Sequence, residues 1–505
     1  MSFDLVLKNS TIVNASNVIY PPNYIGIKDE KIACISLTPL EGDRTIDCEG
    51  AFVTPGGIDA HVHIEQHTTD TFPSATGSSI CGGTTTVVAF APQDKKKDTI
   101  LEDLEVYFQK HQNRIHCDLG LHLILSNPTP TLLQKELPLI VQKYGITSVK
   151  VYMTYETLRI TDGQILQVLT TARKLGITVM IHAENKDVID FLIEKFEKEG
   201  LLEPVYHSNS RPFLAEDEAS YRAISLSKLA DQSILIVHMS AKTALDHVCR
   251  AQKQNFPVYA ETCPQYLFLT TKYLASHAHE TAEEVEEAFQ DYNIKIDAHD
   301  HFQGAKYICS PPLRDTQEEL DGVWEHIMNG TVTIFSSDHA PVVYDDYITG
   351  KKIGIKTGFA KVPNGMPGVE TRLPLLWCYG VETGRISPQR FVEVTSTNPA
   401  KLYGLHKRKG AIEVGLDADI VIWYPKGKEN FKLTNDMLHH DMDYTPFEGM
   451  SFNNWPRYTI LRGKIVWDRD GEGKNSEYDF CGKYLKREKS AMQASKSSSL
   501  PKFFY

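Results

Sequence analysis

No apolar run in this 505-residue chain approaches the ~18 residues that a membrane-spanning helix needs. The opening residues, MSFDLVLKNSTIVN, lack a basic stretch followed by an apolar one, so no secretory leader is expected. The closing KFFY matches no receptor-read C-terminal address. Cysteine is sparse and unpatterned: nine residues, an odd number, with no CxxC pair. That argues against a disulfide framework and for reduced, mostly structural thiols. These absences lead to the expectation of a cytoplasmic protein. Positive charge is also short, with a formal net charge of -12, so nucleic acid is not expected as a partner. No repeat of solenoid period is present.

What is present has a globular composition, 41% apolar and 23% charged. The length suggests one large domain with a smaller one. Residues 1–54 alternate in short β-like bursts punctuated by Gly, Pro and Asn, such as DLVLKNSTIVN and YIGIKDEKIACIS. A matching set, ADIVIWYP and YTILRGKIVWDRDG, falls within 406–470. The two sets predict a small β-sandwich built from both terminal regions. Between them, over 55–405, eight apolar runs alternate with amphipathic segments such as ITDGQILQVLTTARKLG. That pattern predicts an α/β fold, a (β/α)8 barrel of the TIM type. From 471 to 505 the chain turns polar and reads as a solvent-exposed or partner-docked tail.

The unusual residues fall where a barrel puts its chemistry, at the C-terminal ends of strands. His61 and His63 end the first run, DAHVHIE; His182 ends the fifth, His238 the sixth and Asp338 the eighth. Lys150 lies within the fourth, SVKVYMTY. The i, i+2 spacing of His61 and His63 points both rings to one face of a strand, where they can share a metal ion. Alone, such a pair is more often two hydrogen-bonded core histidines; the other strand-end candidates shift the balance to a metal site. His182 and His238 supply a second pair, each unremarkable singly. A lysine flanked by Val149, Val151 and Tyr152 is costly to bury as an ammonium. Burial favours the neutral amine, which can add CO2 to give a carbamate able to bridge two cations. A salt-bridged barrel lysine is the plainer alternative. Asp338 can ligate a metal and accept a proton, or simply cap a helix. Two divalent cations offset by a carbamate, Asp338 and a hydroxide leave net positive charge, which suits hydrolysis of a poor electrophile such as an amide.

These residues carry a resemblance. DAHVH, SVKVYMTY, MIHAEN, IVHMSA and SSDHAP resemble the amidohydrolase superfamily. YICSPPLRD and VPNGMPGVETR, with DYTPFEGM and NWPRYTILRGKIV, narrow the likeness to the dihydropyrimidinase and hydantoinase group, closest to its fungal dihydropyrimidinases. The resemblance runs to about residue 470. It implies two zinc ions per chain, bridged by N6-carboxylated Lys150 and a hydroxide. His61, His63, Lys150 and Asp338 would hold one ion, and Lys150, His182 and His238 the other. The hydroxide would attack the amide carbonyl of a small cyclic amide while Asp338 moves the proton to the leaving nitrogen. Tyr155 would hydrogen-bond the oxygen that gains charge, and main-chain groups of Ser310 and Asn364 would bind the far side of the ring. The resemblance also implies a homotetramer.

The implied reaction opens dihydrouracil or dihydrothymine to an N-carbamoyl β-amino acid. A hydantoinase, or another cyclic imide or ureide hydrolase, would use the same machinery. Allantoinase fits the SPPLR and PNGMPG motifs less well, and no cation for the carboxylate of a dihydroorotase substrate can be placed from sequence. Fold relatives that act only by protein interaction have lost metal ligands, whereas this chain keeps all six positions and Tyr155. One stretch departs from the family pattern. After DAHVH the sequence runs IEQHTTDTFPSATGSSICGGTTT, without the usual Pro-containing turn and with a shorter loop. That predicts an altered pocket wall beside the ring substituent.

Overall fold

The computed structural model describes residues 2–275, 302–471 and 480–492. Eight parallel strands form one sheet in sequential order: β1 (Gly57–Val62), β2 (Thr84–Ala91), β3 (Asp118–Ile124), β4 (Ser148–Tyr152), β5 (Thr178–His182), β6 (Ile234–Ile236), β7 (Val258–Thr262) and β8 (Val332–Phe335). They match the eight apolar runs one for one. The ring closes just beyond the strand ends, where the His63 N–H donates to the His339 carbonyl at 2.7 Å. Strands covered on both faces need no alternation; β2, TTTVVAFA, is buried at every position. The barrel interior is filled by Ala60, Phe90, Ile124, Tyr152, Met180, Leu235 and Ile334, with Leu402 and Tyr403 at the far end. It is a packed core rather than a pore.

The smaller layer joins both terminal regions, as the two β-like sets predict. A six-stranded sheet runs Lys464–Asp468, Pro456–Leu461, Ile420–Trp423, Phe52–Pro55, Thr11–Val13, Val18–Ile19. Its centre pairs Val53 with Ile422 across some 370 residues of chain. A four-stranded sheet from the first 47 residues packs on it through Leu5, Leu7, Ile25 and Ile27 against Ile12, Val53, Ile420 and Ile460. Burial of such aliphatic side chains contributes about 1.5–3 kcal/mol each.

The polar tail behaves differently from its composition. Residues 480–492 dock on the barrel of their own chain, at the end where strands begin. Leu485 N–H donates to the Leu119 carbonyl at 2.7 Å, Arg487 N–H to Gly145 at 3.0 Å and Glu488 N–H to Gly404 at 3.0 Å. Gly404 is required there, because a Cβ would lie 1.8 Å from the Glu488 carbonyl oxygen. The Arg487 guanidinium enters the barrel floor and donates to Ser148 Oγ at 2.8 Å. The rest of the tail, KFFY included, lies outside the described residues.

Candidate active site

The opposite end, where the strands finish, holds a cavity of about 700 Å³. Strand geometry delivers His61 from within β1, Lys150 from β4 and His182 as the last residue of β5. His63, His238 and Asp338 stand one to three residues past β1, β6 and β8. All six converge. Ligand atoms of His61, His63 and Asp338 lie within 4.8 Å of one another. His61 Nε2 is 3.0 Å from Asp338 Oδ1 and 2.8 Å from Lys150 Nζ. The His182 and His238 ring centroids are 4.4 Å apart, and those of His61 and His238 5.3 Å. Tyr155, His238 and Asp338 have φ of 65°, 39° and 51°, in the left-handed region that non-glycine residues rarely adopt. Strain of this kind persists where the surroundings over-determine it, and it clusters at functional sites.

Electrostatics follow from burial. Lys150 is walled by the Phe90 and Tyr152 rings, 4.4 and 4.8 Å from the ammonium. Burial brings it down to about 8, against the attraction of Asp338 and Glu261. Burial and the charge of Lys150 push His63 well below its usual value. Burial also lowers His182 and His238, leaving them neutral and able to ligate. Asp338 is raised by burial, but His61 and Lys150 hold it below the ordinary carboxylate range. Tyr155 is pushed up by burial to about 12, so its hydroxyl stays protonated. Its oxygen accepts from Asn364 Nδ2 at 3.0 Å.

Three partners that orient the histidines were not singled out from sequence. Glu261, on β7, holds His61 Nδ1 at 2.5 Å and so directs Nε2 to the centre. Glu184 lies 2.7 Å from His182 Nε2, leaving Nδ1 for a ligand, and accepts from Ser310 Oγ at 2.7 Å. Gln66 Oε1 is 3.2 Å from His63 Nδ1. Such partners fix tautomer and ring orientation. Glu261 and Glu184 carried a legible signal, a carboxylate inside the apolar runs PVYAETCPQYL and MIHAEN. Gln66 belongs to the short loop after His63, which with His67 and Thr68 forms one cavity wall. Arg211 is a further cation on the cavity wall that sequence reasoning did not place. It stacks over Tyr155 and faces Glu184, whose carboxyl, raised by burial, is brought down to about 2 by His182 and Arg211.

The donor set fits a metal centre. Imidazole and carboxylate suit a divalent cation, and His238 Nδ1 is buried with no hydrogen-bond partner among the described residues. A second Cys, Glu, His group, Cys81, Glu370 and His439, lies at the sandwich junction. There Glu370 is already engaged by Ser78 Oγ, the His439 N–H and the His439 ring, all at 2.9 Å.

Residues 52–466 match the Amidohydrolase family. A D-hydantoinase of Rhizobium radiobacter is 37% identical over 96% of this chain and 99% of its own length. One of Ralstonia pickettii is 38% identical over the same shares. Among solved structures, a dihydropyrimidinase from Brevibacillus agri NCHU1002 superposes with a TM-score of 0.85 at 34% identity, covering 96% of this chain and 99% of the other.

Proposed function

The chain belongs to the amidohydrolase family, and from that premise we propose that it hydrolyses the cyclic amide bond of 5,6-dihydropyrimidines, giving N-carbamoyl β-amino acids. The observation that carries this reading is the convergence of His61 Nε2, Lys150 Nζ and Asp338 Oδ1 at the floor of a cavity bounded by Tyr155, Ser310 and Asn364. The names of the relatives, hydantoinases and dihydropyrimidinases, support the substrate class.

In this reading His61, His63, Lys150 and Asp338 hold one zinc ion, and Lys150, His182 and His238 a second, with Lys150 carboxylated. When bound, the two cations supply an activated water and polarise the amide carbonyl. The protein's own groups do the rest. Asp338, held ionised, takes the proton from the attacking water and delivers it to the leaving nitrogen. Tyr155 keeps its proton and donates to the carbonyl oxygen as that oxygen gains charge. Backbone groups of Ser310 and Asn364 bind the ureide edge remote from the reacting bond. The nine cysteines are all free, which supports a reducing, cytoplasmic setting. Exposed Phe191, Phe213, Leu214 and Tyr221 on the helices Lys186–Lys198 and Phe213–Ala230 support assembly into a homotetramer.

Steady-state hydrolysis of dihydrouracil, hydantoin and allantoin, measured beside zinc content, tests the reading. The expected result is the highest kcat/KM for dihydrouracil with two zinc ions per chain. A preference for hydantoin or allantoin would overturn the substrate, and a chain that binds well under one zinc and opens none of the three would overturn the enzyme.

A further inference from the structure

Ser310 and Asn364 come from separate connections. Ile308–Cys309–Ser310 lies between β7 and β8, and Pro363–Asn364–Gly365 follows β8. Their backbones meet where the Gly365 N–H donates to the Ile308 carbonyl at 3.0 Å. The Asn364 segment is tied on its other side to the strand end that bears Asp338, through the Ala340 N–H and the Met366 carbonyl at 3.1 Å. Gly365 permits this approach: its φ is +127°, and a Cβ there would lie 2.3 Å from the Ala340 oxygen.

Lys351 reaches this junction from the loop between them. Its side chain is fully buried, and Nζ donates to the Ile308 carbonyl at 3.0 Å and to the Pro363 carbonyl at 3.1 Å. No step of the reaction described above uses it. Burial brings Lys351 down to about 7. A polar amine of either charge state is costly to bury unless its N–H groups find acceptors, and an apolar side chain of the same length would fill the slot without that cost. The two acceptors it has are informative. One carbonyl stands two residues before Ser310. The other belongs to the same peptide unit as the Asn364 N–H, so a donor at that oxygen polarises the unit and strengthens the N–H at its other end.

We propose that Lys351 is a positioning residue for substrate binding: it sets the spacing between the Ser310 and Asn364 segments and sharpens the Asn364 amide as a donor. The inference rests on the reading of those two residues as substrate contacts. Such contacts lie remote from the reacting bond and are made equally in the ground and transition states, so their loss raises KM and spares kcat.

Two variants test it, Lys351→Met, which removes all donors, and Lys351→Gln, which keeps two N–H donors without the charge. Each is measured for zinc content, for kcat and KM on dihydrouracil, and for amide hydrogen exchange over residues 308–310 and 362–366. For Lys351→Met the expected result is wild-type zinc, KM raised about tenfold, kcat within about twofold, and faster exchange in both segments. Lys351→Gln should fall between that variant and the wild type. A folded Lys351→Met protein with wild-type KM and unchanged exchange overturns the proposal, as does a parallel loss of kcat and zinc. If Lys351→Met fails to fold, wild-type KM and exchange in Lys351→Gln overturn it. Should the wild type open no cyclic amide, the reading of the site falls, while exchange still judges the clamp.

Discussion

The two ends of the barrel both bury charge, and they do so in opposite ways. At the floor, Asp118, Asp417 and Asp419 surround Lys409, and Arg462 closes on Asp118; Lys409 Nζ is 2.8 Å from Asp118 Oδ2 and 3.6 Å from Asp417 Oδ2. Each of these carboxylates faces at least one cation. At the mouth, Lys150 meets an imidazole and two aromatic faces, burial lowers His63, His182 and His238, and His238 Nδ1 has no hydrogen-bond partner among the described residues. The floor answers its carboxylates with cations, whereas the mouth gathers imidazoles, a lysine and an aspartate around a cavity. Barrels generally divide labour this way, with stability at the start of the strands and chemistry at their ends.

The difference can be broken at either end. Lys150→Ala should lose most bound metal and, on the order of 10³-fold, activity, with thermal unfolding little changed; full metal occupancy without added short acids would refute the bridging role. Lys409→Met should do the reverse. It leaves buried carboxylates unmatched, so unfolding free energy should drop by about 3–5 kcal/mol while kcat of the folded protein stays within about twofold. A denaturant titration beside kinetics checks both halves. Tyr155→Phe should lower kcat about 10²-fold and raise KM less, since the hydroxyl matters most to the developing oxyanion; a pure KM effect contradicts that role. Glu184→Gln should weaken metal affinity about 10–100-fold by loosening the His182 ring, read by competition with a chelator.

The smallest effect is in pH. Burial raises Asp118, yet Lys409 and Arg462 hold it below the usual carboxylate range, and Asp417 is likewise held down by Lys409 and Lys31. Carboxyls depressed in the folded state contribute stability that is present above about pH 4 and is lost as pH falls through their lower folded values. Asp419, raised by burial, offsets part of this. Melting temperature should therefore fall on acidification below about pH 4, and Lys409→Met should flatten that limb. Identical acid limbs would show that the floor network does not set it.

The mouth was more legible in the sequence than the floor. Eight apolar runs gave eight strands because strands buried on both faces have nowhere to hide a polar residue. The same rule made His61, His63, Lys150, His182, His238 and Asp338 conspicuous. Glu261 and Glu184 obeyed it too, but a carboxylate beside polar neighbours in AETC or HAEN reads as a strand end facing water. Lys351 was invisible: GKKIGIK is a loop composition, and nothing local reveals that one of its lysines turns inward to two carbonyls. The tail misled in the other direction. KREKS looks solvated, yet Arg487 is buried because Gly145 and Gly404, far away in sequence, leave room for its backbone. Composition reports local solubility, and docking depends on clefts that only the fold creates.

The six-stranded sheet also sets a timetable. Phe52–Pro55 lies beside Ile420–Trp423, so the first strands leave the ribosome roughly 365 residues before their partners. At ~5–20 residues per second that delay is about 20–70 s. Through that interval the side of Phe52–Pro55 that Ile420–Trp423 will cover stands unpaired while the barrel is still being made. The last layer of the molecule to be completed is therefore the one whose synthesis began first, and newly made chains should depend most on chaperone protection at their amino-terminal end.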